Sequence, residues 1–155
     1  MNNINTVLKQ SQDIFFNLIN TVGVYKLLSL CKSQYPKFIF SGVGKNWYIC
    51  EKVVKTYISM GLDASALDCT HALHGDLGML YGDDNKVLIF ISKSGTTEEM
   101  IKTAKVVKEL KDKDILHNIT TVGFSLGYDN SYDNLFDILI RPTDQFDILE
   151  FDNRN

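Results

Sequence analysis

The apolar run VLIFI is followed directly by Ser92-Lys93-Ser94-Gly95-Thr96-Thr97 and then by Glu98 and Glu99. Hydroxyls grouped around a glycine at the head of a helical pattern can bind an anion. The hydroxyls and the free N–H groups of a helix start donate hydrogen bonds, the positive end of the helix dipole adds attraction, and Gly95 lets the backbone come close. The same residue types also serve as an ordinary N-cap and turn. The terminal Gly-Lys-Ser/Thr of a nucleoside-triphosphate loop is missing.

Two other stretches could do chemistry. Ser41-Gly42-Val43-Gly44-Lys45 follows the apolar run KFIF. Its Gly-x-Gly matches the start of a dinucleotide fingerprint, but no third glycine follows, and a tight strand-to-helix turn explains it as well. In HALHGDLGM, His71 and His74 lie one helical turn apart with Asp76 beyond them. A metal site is one reading, although zinc takes further ligands at defined spacing. For His71 a capping or packing role fits; for His74, beside a Gly-Asp turn, an acid or base role is open.

The elements that must position these residues follow from periodicity. The first 35 residues carry two helix-like patterns, one with Val7, Ile14, Leu18 and Ile19 and one with Val24, Leu27, Leu28 and Cys31. Strands are expected at 37–42, 65–68, 86–92, 118–125 and 136–140, and helices at 46–60, 70–80 (short, interrupted by glycines) and 97–111. Continuous apolar strands alternating with amphipathic helices predict a three-layer α/β/α domain with a five-stranded parallel sheet, flavodoxin-like. Ligands of such sheets sit beyond the strands' carboxyl ends, where the strand order reverses. The loops beginning at Ser41 and Ser92 would face that crevice together.

A chain of 155 residues with 45% hydrophobic and 23% charged residues fits one domain. A net charge of −3 with no basic stripe argues against nucleic-acid backbone binding. No apolar run reaches membrane-span length, and the polar start MNNINTV is unlike a signal peptide. Cys31, Cys50 and Cys69 are well separated and suit a reducing compartment. A cytoplasmic protein is expected.

Taken together and in this order, SGVGK, HALHGDLGM and FISKSGTTEE resemble a sugar isomerase (SIS) domain, and ALHGDLGM resembles the arabinose 5-phosphate isomerases. The resemblance runs from the N-terminal helices to about residue 142, so residues 1–155 read as one SIS domain: a helical segment to about 35, a sheet-and-helix core over about 36–142, and a short tail. It implies that Ser92, Ser94, Gly95, Thr96 and Thr97 cradle the phosphate of a phosphosugar, with Ser41, Gly42 and Gly44 at the neighbouring strand end against the sugar. It implies catalytic roles for Lys45, His74 and Glu99, with Glu98 close enough to compete for the last. The reaction implied is an aldose–ketose isomerisation, D-arabinose 5-phosphate to D-ribulose 5-phosphate through a cis-enediol. It needs neither metal nor cofactor, and the domain would work as a homodimer or homotetramer.

The chain departs from the family pattern at three places. His71 stands where the family usually has glutamate, and Asn46-Trp47 where it has Ser-Gly. Bacterial relatives also continue with a closing helix, a further histidine and often CBS domains, where this sequence ends at FDNRN. A non-catalytic phosphosugar-binding domain is therefore the competing expectation. A dinucleotide-dependent oxidoreductase is a third, without its glycine.

Overall fold

A computed structural model describes residues 9, 22–34, 36–127 and 131–141. The elements are α1 (Val22–Gln34), β1 (Lys37–Gly42), α2 (Lys45–Ser59), β2 (Ala64–Asp68), α3 (Cys69–Ala72), a 3-10 turn (Asp76–Leu80), β3 (Lys86–Ser92), α4 (Glu98–Asp112), β4 (Ile119–Ser125), a second 3-10 turn (Asp133–Leu135) and β5 (Ile138–Ile140). The five strands are all parallel, in the order β2-β1-β3-β4-β5. This is the flavodoxin-like order, whose reversal falls between β1 and β3.

The expected strands and helices are present to within about two residues, apart from the first helical pattern, which lies outside the described residues. The 70–80 segment divides into the single turn α3 and a 3-10 turn, because Gly75 at φ 127° breaks the helical path between them. In α1 the packed face is Val24, Leu27, Leu30 and Cys31, not Leu28, which is about half exposed. Those four residues recur at i, i+3, i+6 and i+7 and turn together toward the sheet.

Two separate apolar layers sandwich the sheet. On one face Ile39, Leu67, Leu88 and Phe90 meet Met100, Ala104 and Val107 of α4, with Cys69, Ala72 and Leu80. On the other, Phe38, Phe40, Val87, Ile89 and Val122 meet α1 and α2, where Tyr57 stands edge-on to both phenylalanines at 5.0 Å. Alternate residues of one strand thus serve opposite layers, which is why β1 and β3 read as unbroken apolar runs.

Candidate functional site

Each strand at the reversal runs into a loop and then a 15-residue helix, so the loops after β1 and β3 open at the same end of the sheet. The residue types there decide how the two helices begin. Gly42 is buried, and a Cβ on it would come within 3.0 Å of Asn46, so the chain must turn tightly. Gly44 then takes φ 58°, ψ −119°, a conformation that favours glycine. Lys45 opens α2, exposed and without an ion pair among the described residues, while Trp47 is half-buried. Gly44, as the N-cap, offers no side chain to cap the helix.

The loop after β3 folds on its own hydroxyls. Ser92 is buried, and its Oγ accepts the Gly95 N–H at 3.0 Å and lies 3.1 Å from Thr97 Oγ1. Farther out, Ser94 Oγ accepts both the N–H and the hydroxyl of Thr96, at 3.2 and 2.9 Å. Gly95 takes φ 78°, and any side chain there would run into Ser125 Oγ. Thr97 occupies the N-cap of α4, yet its side chain makes no capping bond, because its hydroxyl is turned to Ser92. Of the N-cap-and-turn alternative, the side-chain cap is not formed, whereas the turn is, closed by Ser92 Oγ on the Gly95 N–H and Ser94 Oγ on the Thr96 N–H. The first-turn N–H groups of a helix have no intrahelical partners, and those of α2 and α4 both begin without a side-chain cap. By contrast α3 is capped by Asp68, which accepts from Thr70 N–H and Thr70 Oγ1, both at 2.8 Å.

Ser41 belongs beneath the crevice. It is fully buried, its hydroxyl donates to the Leu67 carbonyl at 2.7 Å, and it lies 3.0 Å from Cys69 Sγ. In this arrangement it ties β1 to β2 and to the start of α3.

His74 is exposed, and its backbone N–H donates to the His71 carbonyl. His71 Nδ1 lies 3.5 Å from an Asp68 oxygen, so the residue packs beside the α3 cap. No three His, Cys, Asp or Glu side chains converge as metal ligands among the described residues. The two glutamates of the α4 first turn differ. Glu98 pairs along its own helix with Lys102 at 2.6 Å, and that hydrogen bond and charge hold its carboxyl below the ordinary range. Glu99 makes no ion pair among the described residues, and its charge reaches Cys69. The Cys69 thiol is pushed up mainly by burial, with smaller contributions from Asp68 and Glu99 against hydrogen bonds from Ser41 and Thr103.

Sequence reasoning missed one part of this region. The turn Ser125-Leu126-Gly127 lies directly against the loop after β3, with Leu126 N–H donating to the Lys93 carbonyl at 3.2 Å. A Ser-x-Gly after a strand reads as a common turn, and the signal was only that this strand also ends at the crevice.

No protein-family model matches the chain. Arabinose 5-phosphate isomerase GutQ of Escherichia coli K12 is 39% identical over 79 residues, 51% of this chain and 23% of GutQ. The solved structure of an E. coli CFT073 protein in complex with arabinose 5-phosphate superposes with a TM-score of 0.66 at 26% identity, covering 90% of this chain and 72% of that one. The Vibrio vulnificus NanR protein complexed with ManNAc-6P shares the fold, with a TM-score of 0.62 over 89% of this chain and 51% of that one, at 15% identity. The stretch matched to GutQ is about a quarter of that protein's length. Among the described residues no helix is long and apolar enough to cross a membrane. By sheet order and these likenesses, the chain has the fold of sugar isomerase (SIS) domains and is homologous, over about half its length, to arabinose 5-phosphate isomerase GutQ.

Proposed function

We propose that this domain binds a phosphosugar between the two crevice loops and interconverts D-arabinose 5-phosphate and D-ribulose 5-phosphate. The observation that carries the reading is the uncapped start of α4 beneath a hydroxyl-lined loop. A phosphate there would take hydrogen bonds from Ser94, Thr96 and Thr97 and from the free helix N–H groups, while Ser92 and Gly95 keep the loop folded. Ser41, Gly42 and Gly44 would shape the sugar end from the β1 side. The same anchoring is consistent with the ligands named for the E. coli CFT073 and NanR structures, arabinose 5-phosphate and ManNAc-6P.

For the chemistry, a proton must leave C2 of the aldose and arrive at C1 through a cis-enediol, with the carbonyl moving from C1 to C2. Glu99 or His74 is the base that carries it, worth typically 10²–10⁴-fold. Lys45, exposed at the mouth of α2, stabilises the charge that develops on the enediolate oxygens. No redox cofactor or metal enters this scheme. We take this SIS domain to work in the cytoplasm as part of a homodimer or homotetramer.

A second reading is favoured by the surroundings of His74. His71 beside Asp68 brings an imidazole where the family usually has a carboxylate, and Trp47 crowds the start of α2. Both suit a domain that holds a phosphosugar without turning it over. The deciding experiment is an NMR time course with arabinose 5-phosphate in deuterated water, beside His74→Ala. Ribulose 5-phosphate carrying deuterium at C1, absent in the variant, is the expected result. Shifted sugar-phosphate signals with neither product nor exchange would establish the binder instead.

A further inference from the structure

The loop after β3 is interlocked with the turn after β4. Ser92 and Ser125 are register partners at the ends of their strands, and each turns its hydroxyl onto the chain that follows. Ser92 Oγ accepts the Gly95 N–H, and Ser125 Oγ accepts the Gly127 N–H, both at 3.0 Å. The two turns then press together. A Cβ on Gly127 would lie 2.0 Å from the Ser94 carbonyl oxygen, and one on Gly95 would lie 2.9 Å from Ser125 Oγ. Leu126 donates its N–H to the Lys93 carbonyl and packs its side chain against the apolar layer that holds Phe124 and Ile91. Behind the contact is a crevice of about 30 Å³, with Ser92, Gly95, Ser125 and Gly127 on its walls and the Asp133–Arg141 ion pair opposite. A cavity of that size admits a water or two and no sugar.

From this interlock we infer that Ser125, Leu126 and Gly127 are positioning residues for the phosphate group. The inference rests on the reading of residues 92–97 as the phosphate site. Ser94 and Thr96 are exposed and have little packing of their own. Fixing such a segment only when ligand arrives would cost ordering entropy and affinity. The β4 turn fixes it beforehand: a carbonyl held by the Leu126 N–H, a carbonyl seated on Gly127, and a glycine seated on Ser125 leave the loop one backbone path. The glycine at 127 is required by contact alone, since any side chain would displace the Ser94 carbonyl.

Three variants test this. Ser125→Ala deletes one hydrogen bond and leaves space, Ser125→Thr keeps the hydroxyl, and Gly127→Ala forces the loop to move. Two readouts are taken: the dissociation constant for arabinose 5-phosphate by calorimetry, and amide hydrogen exchange of residues 94–97 in the free protein. Ser125→Ala is expected to weaken binding about threefold to tenfold, Gly127→Ala more, and Ser125→Thr to recover to within about twofold of wild type. Exchange in the loop speeds up in the two damaging variants while the melting temperature stays at the wild-type value. Unchanged loop exchange in both Ser125→Ala and Gly127→Ala overturns the inference. Failure of the wild type to bind arabinose 5-phosphate or inorganic phosphate overturns the proposed function and the phosphate part of the inference with it, whereas faster loop exchange in the variants would still uphold the bracing of the loop by the β4 turn.

Discussion

Glu98 and Glu99 share the first turn of α4, yet Glu98 reaches forward to Lys102 while Glu99 makes no ion pair among the described residues. Their roles should separate accordingly. In a turnover assay with arabinose 5-phosphate, Glu98→Gln is expected to keep the wild-type rate, since it removes an exposed pair of little energetic weight. Glu99→Gln is expected to lose about 10²–10⁴-fold in kcat if it is the base. Equal losses in both variants would mean that the first-turn charge, not a particular carboxylate, matters. Adjacent glutamates are indistinguishable by spacing; they part only because a lysine stands four residues after the first. Ser41 illustrates the same limit. A hydroxyl at a strand end reads as a ligand contact, but which face it turns to depends on pleat and neighbours, and here it is spent on the Leu67 carbonyl.

At the scale of elements, α4 is tied to the sheet by more than its apolar face. Asp137, just before β5, accepts from Lys111 on α4 and from the N–H and hydroxyl of Thr121 on β4. Burial pushes this carboxyl up, but the hydrogen bonds from Lys111 and Thr121 and the Lys111 charge outweigh it and hold it below the ordinary range. A carboxylate whose folded value lies below its unfolded one, about 3.9, contributes stability above that pH and loses it as pH falls through the folded value. Urea midpoints measured from pH 6 down to pH 3 should therefore fall more steeply for the wild type than for Asp137→Asn; parallel curves would show that Asp137 adds nothing. Elements themselves were legible wherever one physical rule dominated. KVLIFIS had to be a strand buried on both faces, and EEMIKTAKVV an amphipathic helix. Leu28 was misplaced because Leu27, Leu28 and Leu30 are equally apolar, and only contact with the sheet selects among them. The bracing turn at 125–127 was invisible for a related reason: its meaning lies in what Gly127 touches, thirty-odd residues away along the chain.

Across the whole molecule, the three cysteines report on packing. Burial pushes the Cys50 thiol up to about 12 and raises Cys31 and Cys69 as well. All three are free and protonated at neutral pH, and a protonated, buried thiol reacts poorly. Titration with a thiol reagent at pH 7.5 should therefore find Cys50 and Cys69 silent in the native protein and all three cysteines reactive in urea. Rapid native labelling of Cys69 would mean that the end of β2 opens. The two apolar layers carry a wider consequence. The helix that presents Lys45 is moored to one layer and the helix that presents Glu99 to the other, with the hydrogen-bonded seam of β1 and β3 between them. Each lip of the crevice can thus accumulate changes in its own layer while the seam keeps the span between them constant. On the proposed function, such a two-sided mounting would let a lineage exchange the sugar it recognises, or abandon its chemistry, while the phosphate loop keeps its place.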